Sequence, residues 1–239
     1  MPTPESHTSA LAPLTDRLPV VAAVCMLLWA TGEFAFRRGL VPHLADPLGS
    51  GLGADMAAIA IGMPLLAVAI AWFGSKAGLT RRDWAYDISL RSVGAGLGGF
   101  VAYLALYFGV VLVLMLGLGL DPTAGPGTQN VGSAPVWALA MLLLVNGVLV
   151  PVTEEFAWRG AIQTVLTKRY GDAIAIVATA IPFVLKHLVV DMSAPVFRVA
   201  SLVVLAFILS ILRARYGTAS STVTHLSANG VFTALAVLG

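Results

Sequence analysis

The chain is 239 residues long with 58% hydrophobic and 11% charged residues, a balance that excludes a water-soluble domain of this size and points to an integral membrane protein. Lys and Arg number 14 against 12 Asp and Glu, and the resulting formal charge of +2 is too small to argue for a nucleic-acid partner. The single cysteine, Cys25, lies in an apolar run, which excludes an intrachain disulfide, CxxC redox chemistry and cysteine-zinc chemistry.

Residues 1–17 are rich in Pro, Ser and Thr without apolar periodicity and read as a short disordered arm, leaving 18–239 as a single transmembrane domain. The first apolar run, 18–36, is long for a signal-peptide core, lacks a small-x-small cleavage site and reads as a retained span. Glu33 near its end is expected to pair with Arg37 one turn on, as a structural ion pair rather than a substrate or proton site. The Gly/Pro-rich stretch 39–53 reads as a linker, with a re-entrant or spanning piece as the alternative. A second span is expected over 54–73, kinked at Met63-Pro64 and followed by a basic loop carrying Lys76, Arg81, Arg82 and Arg91.

The third run, 92–120, opens with Gly94, Gly96, Gly98 and Gly99, which would let another helix approach closely, and its length suggests one tilted or broken span. Residues 121–134 form a Gly/Pro/Asn loop with no basic residue, expected outside the cytoplasm. Pro135 opens the fourth hydrophobic segment, which holds Glu154, Glu155 and Arg159. A fifth covers 172–190, a sixth covers 195–212 with Arg198 at its entry, and a seventh covers 217–238. The first half of the seventh is small and polar, so it must face other helices rather than lipid. The expected architecture is all-α, a polytopic transmembrane helix bundle of seven to eight spans.

Placing the 74–91 loop in the cytoplasm puts nine basic residues inside (Arg17, Lys76, Arg81, Arg82, Arg91, Lys168, Arg169, Arg213, Arg215) and three outside (Arg37, Arg38, Arg198). The amino terminus is then cytoplasmic. The Ala/Gly/Leu-heavy makeup suggests a multi-pass protein of a bacterial plasma membrane.

Charged groups inside such runs cost roughly 3 kcal/mol each on insertion scales and mark functional sites by default. Three four-residue spacings bring polar groups onto one helical face each: Glu155 to Arg159, Phe183 to His187, and His225 to Asn229, with Glu154 leading the first. At about 1.5 Å per residue, His225 and Asn229 lie roughly 12 and 18 Å beyond Gly217, and Glu154 lies roughly 20 Å from a helix end near Lys168. These groups can therefore meet at similar depth, with helix tilt or a kink at Pro182 adjusting His187. A carboxylate facing two imidazoles and a carboxamide is a hydrolytic set: Glu154 can take a proton from water, His187 can orient that water, and His225 with Asn229 can donate to a developing oxyanion.

Over about residues 135–235 the sequence resembles the CPBP intramembrane proteases, which group CAAX prenyl proteases of the Ras-converting type with bacteriocin-processing and immunity proteins. Glu154-Glu155-x-x-x-Arg159 resembles the first motif of that family, Phe183-x-x-x-His187 its second and His225-x-x-x-Asn229 its last. The resemblance implies a bundle of about eight membrane helices and an endopeptidase in which Glu154 and His187 activate water. His225 and Asn229 would polarise the scissile carbonyl, and Glu155 and Arg159 would hold the helix ends in place. The implied partners are a peptide or membrane-protein substrate and the lipid bilayer. The family is conventionally called metalloprotease, and Glu154, His187 and His225 would supply three zinc ligands with an open position. No HExxH run is present, and water activated by glutamate without metal accounts for the same residues, so a cofactor-free reaction is the favoured reading.

A rhomboid-like serine protease would need a GxSG-type nucleophile, which is absent. Tyr86-Asp87 imitates one aspartyl intramembrane protease motif, but Gly117-Leu118-Gly119-Leu120-Asp121 has one residue too many for the other. The remaining alternative is a noncatalytic transporter or immunity-type binding protein using the same polar pocket.

Overall fold

The computed structural model describes residues 17–121, 131–192 and 195–238. The expected amino-terminal arm, apart from Arg17, and most of the 121–134 loop lie outside the described residues. Seven helices follow one another: α1 (Leu18–Leu48), α2 (Gly51–Lys76), α3 (Leu90–Gly117), α4 (Val136–Tyr170), α5 (Asp172–Asp191), α6 (Val196–Tyr216) and α7 (Thr218–Leu238). No strand occurs among the described residues. The first six are long and apolar enough to cross a membrane. In α7 the polar run of its first half lowers the overall hydropathy, and that half is buried against protein from Thr218 to Thr222. The surface is correspondingly greasy, with Leu27, Val68, Val101, Leu116 and Leu235 each more than half exposed. Such an exterior suits lipid as solvent.

The stretch expected as a linker over 39–53 is mostly helix. After a π-helical turn at Phe36–Leu40, the chain continues helically to Leu48 and breaks only at Gly49, where φ is +60°. That left-handed conformation suits glycine as a helix stop. Ser50 then caps α2, accepting from the Gly53 amide at 3.1 Å. Two residues thus suffice to reverse the chain. The second and fifth helices run unbroken through Pro64 and Pro182.

α3 starts on a reciprocal cap, Ser92 N–H to Ser89 Oγ at 3.2 Å and Ser89 N–H to Ser92 Oγ at 2.9 Å. Of its four early glycines, two serve close approach. A Cβ on Gly96 would come within 2.6 Å of Val223 Cβ and 2.7 Å of the Ser220 carbonyl, and one on Gly99 within 2.6 Å of Thr224 Oγ1. Gly94 and Gly98 would meet nothing within 4 Å. The i,i+3 spacing of Gly96 and Gly99 puts them on the face that meets α7, where Thr224 Oγ1 donates to the Gly96 carbonyl at 2.7 Å.

α4 is the central and longest helix. Its 35 residues span about 52 Å at 1.5 Å each. It touches α1, α2, α5, α6 and α7. Two stretches within it, Val145–Leu149 and Glu155–Gln163, adopt the wider π-helical turn. Such turns rotate side chains out of α register and recur at functional sites. The second begins on the charged motif.

The connection between α6 and α7 is a single Gly217 at φ +87°, lying close against Ala85. The Thr218 amide and hydroxyl donate to the carbonyls of Ala85 and Trp84 at 2.9 and 2.6 Å, which ties the 77–89 loop over the start of α7. Replacing Gly96 by Leu should force α3 and α7 apart at a cost of about 1–3 kcal/mol, whereas Gly94→Leu, on the exposed face, should change stability by less than about 0.5 kcal/mol. Thermal unfolding of the two variants in detergent checks this pair.

Candidate active site

Glu154 and Glu155 are adjacent on α4 and both fully buried, yet their surroundings differ. Glu155 Oε1 accepts from Arg159 Nη1 at 3.1 Å, one turn along the same helix, and from His225 Nδ1 at 2.9 Å on α7. Arg159, 0% exposed, also donates through Nη2 to the Ala206 carbonyl on α6 at 3.2 Å. Gln163, one further turn on, repeats the link by donating to the Ser210 carbonyl at 2.8 Å. The Glu155–Arg159 pair therefore does not hold helix ends, as the resemblance implied. It clamps the middle of α4 to α6 and α7, because the motif falls halfway along a helix much longer than the hydrophobic run alone indicates.

Glu154 has no such clamp. Its Oε1 contacts the Lys186 ammonium of α5, His187 Nε2 lies 3.8 Å from the same oxygen, and His225 Nε2 lies 3.9 Å from Oε2. The two imidazole separations are too long for direct hydrogen bonds. Among the described residues Oε2 has no hydrogen-bond partner at all.

The outer nitrogens decide what the inner ones can do. His187 Nδ1 lies 2.8 Å from the Phe183 carbonyl, which only accepts, so Nδ1 carries the proton and Nε2 of the neutral ring faces Glu154 with its lone pair. His225 Nδ1 likewise must donate to the Glu155 carboxylate. A second proton on that ring would make Nε2 a donor, with Glu155 as counter-ion.

Phe183 packs beneath these groups. Its ring takes the Arg159 guanidinium at 4.2 Å and the Lys186 ammonium at 5.4 Å, and meets the rings of Trp158, His187 and His225 at 5.4, 4.7 and 6.2 Å. One aromatic ring thereby neighbours residues of all three motifs. Asn229, one turn beyond His225, is half-buried and donates from Nδ2 to the Asn146 carbonyl at 3.1 Å, while Asn146 donates to Thr233 Oγ1 at 2.8 Å. An Asn amide has two N–H groups, so one remains for another acceptor.

Six of the seven residues singled out from the sequence thus meet around one buried centre, with Asn229 one turn beyond His225 on α7. Two members are new. Lys186 lies between Glu154 and Glu33, 2.7 Å from the latter, and Trp29 Nε1 donates to the same Glu33 oxygen at 3.2 Å. The expected Glu33–Arg37 ion pair is present but long, at 4.0 Å. Arg37 also grips Asp55 through Nε and Nη2 at 3.2 and 3.3 Å and Asp191 at 3.1 Å. The i,i+4 rule weighs near neighbours in sequence, whereas these partners come from α2 and α5.

On the side of the basic loops the site is covered. Trp84 stacks on Phe156 with centroids 4.4 Å apart, and the Tyr86 hydroxyl accepts from Thr222 Oγ1 at 3.0 Å and donates to the Val152 carbonyl at 3.4 Å. Burial pushes the Tyr86 hydroxyl above the ordinary phenol range, so it stays a donor at neutral pH. Asp83, which pairs with Lys168 at 2.6 Å, pins the same loop to α4; slight burial opposes its ionisation, but the bonds from Lys168 and Thr80 prevail and hold its carboxyl below the usual range.

Because Arg159 and Glu155 have no water to fall back on, removing one partner strands a buried charge. Arg159→Ala should cost about 3–5 kcal/mol, and a thermal-unfolding midpoint equal to that of the parent protein would show that the pair is not truly desolvated.

No curated protein and no solved structure matches the chain. A family model described as Type II CAAX prenyl endopeptidase Rce1-like matches residues 135–231, from the start of α4 into α7. That segment contains every motif residue gathered around Glu154, and over it the chain is similar to the CAAX-type prenyl endopeptidases.

Proposed function

We propose that the protein is an intramembrane endopeptidase that hydrolyses a peptide bond with water activated by Glu154. The observation that carries this reading is the pairing of a buried carboxylate with two imidazoles: among the described residues Glu154 Oε2, like Glu155 Oε2, has no donor, and two imidazole Nε2 atoms flank Glu154 at 3.8 and 3.9 Å. A water beside Oε2 would give its proton to Glu154 as its oxygen attacks the scissile carbonyl carbon. His187 Nε2 accepts the water's other hydrogen and aims it. As the carbonyl oxygen becomes negative, the free N–H of Asn229 donates to it, and so would His225 with a proton on Nε2 in addition to the one it gives Glu155. Collapse of the tetrahedral intermediate expels the amine, which takes the proton held by Glu154.

The metal alternative is judged on the donor set. His187 offers an Nε2 lone pair, His225 would offer one when singly protonated, and each is oriented through Nδ1 as metal-bound histidines are. Glu154, however, already carries an ammonium on Oε1, so a dication on this carboxylate would sit beside a fixed positive charge. As the side chains stand around Lys186, no group of three or more His, Cys, Asp or Glu among the described residues is arranged to hold a metal ion. The residues do not fit zinc, and the mechanism contains no step through it.

The substrate is a peptide or membrane-protein tail that reaches this depth, prenylated or not. A plasma-membrane protein with a cytoplasmic amino terminus agrees with the nine-to-three distribution of basic residues between the two ends of the bundle.

Purified protein in detergent or bilayers should cleave a membrane-embedded or prenylated peptide, and Glu154→Gln or His187→Ala should reduce cleavage to below about a tenth of the parent rate with the fold retained. Folded parent protein that cleaves none of these peptides would instead favour a binding or transport role for the pocket. Asn229→Ala should lower kcat by roughly a hundredfold with KM little changed; an equal rise in KM would mean that Asn229 binds the ground state.

A further inference from the structure

Lys186 is the group that the hydrolytic reading leaves unused, and it is placed as deliberately as any motif residue. Its ammonium is 1% exposed and lies between two carboxylates from different helices, Glu33 on α1 and Glu154 on α4, with the Phe183 ring 5.4 Å away. Glu33 is itself buried and held from behind by Trp29 Nε1. The nearest other cation on that side, Arg37, is 4.0 Å from Glu33 and is engaged by Asp55 and Asp191.

A lone ammonium on Glu154 would neutralise the carboxylate that must accept a proton. Shared with Glu33, it does not: one positive charge between two negative ones leaves the trio with a net charge of −1, and Glu154 remains anionic in character. The contact falls on Oε1 alone. It fixes the carboxylate plane and leaves Oε2 facing His225 Nε2. An ammonium also supplies positive charge beside the carboxylate, where a metalloprotease would hold its ion, and it repels a second cation.

We propose that Lys186 is the resident cation of this site. Braced by Glu33, it positions Glu154 for catalysis and keeps divalent metal off the Glu154, His187 and His225 donors. The positioning half rests on the endopeptidase reading; the metal-excluding half stands without it.

The test is a cobalt(II) titration of the purified full-length protein, read by the visible d–d absorption of the bound ion, alongside peptide cleavage. Lys186→Met alone leaves two buried carboxylates together and endangers folding. The double variant Glu33→Gln/Lys186→Met removes one charge of each sign and keeps the net charge of −1. The parent should develop no d–d band. The folded double variant should develop one that saturates stoichiometrically and disappears on adding His187→Ala. Its kcat for cleavage without added metal should fall at least about tenfold at nearly constant KM, the pattern of a lost transition-state effect.

A His187-dependent band in the parent, or a folded double variant that takes up no cobalt, would overturn metal exclusion. Unchanged kcat in the double variant would overturn positioning. Absence of cleavage by the parent would defeat the endopeptidase reading while leaving the cobalt result to stand on its own.

Discussion

Everything in this bundle is arranged around the difficulty of keeping charge where water is scarce. Glu33, Glu154, Glu155, Arg159 and Lys186 are all buried within helices that cross the hydrocarbon, and each is answered by an opposite charge on another turn or another helix. An unpaired ion there would cost several kcal/mol, so the partners dictate how the helices pack. Arg159 reaches α6, Glu155 reaches α7, and Lys186 joins α5 to α1 and α4. Helix association in a membrane has little hydrophobic drive of its own, and these cross-links, together with the close seam at Gly96 and Gly99, supply it.

Two neighbouring glutamates could be expected to share an environment, yet a helix turns about 100° per residue. Glu155 points to α7, and its Oε1 takes both a guanidinium and an imidazole N–H. Glu154 points to α5, with Oε1 on an ammonium; among the described residues the Oε2 of each glutamate has no hydrogen-bond partner. The division separates a carboxylate held in an Arg–His clamp from one that faces two imidazole Nε2 atoms. It also shows why His225 belongs to both: its Nδ1 serves Glu155 and its Nε2 faces Glu154.

The spans and the motif residues were legible in the sequence because both leave local traces, namely runs of apolar residues and polar pairs at four-residue spacing. What escaped is what depends on partners remote in the chain. Glu33 has a mate in Arg37 one turn away, at 4.0 Å, and nothing local announces that Lys186, 153 positions on, lies closer still. The helix through 39–48 hid behind its Gly and Pro content, although Pro42 stands at the start of the helical stretch that follows the π turn, where proline is tolerated. Among the glycines of α3 the composition was clear, but only the direction of α7 separates Gly96 and Gly99 from Gly94 and Gly98.

The length of α4 has a mechanical consequence. About 52 Å of helix in a hydrocarbon layer of about 30 Å must tilt or protrude, and the tilt changes with the lipids around it. Glu154 is near the middle of Val136–Tyr170, so it sits close to the fulcrum of that lever. When the membrane thins or thickens, the ends of α4 sweep through the headgroups while the carboxylate scarcely changes depth. A carboxylate at the pivot of the bundle's longest rod is buffered against the elasticity of the bilayer that surrounds it.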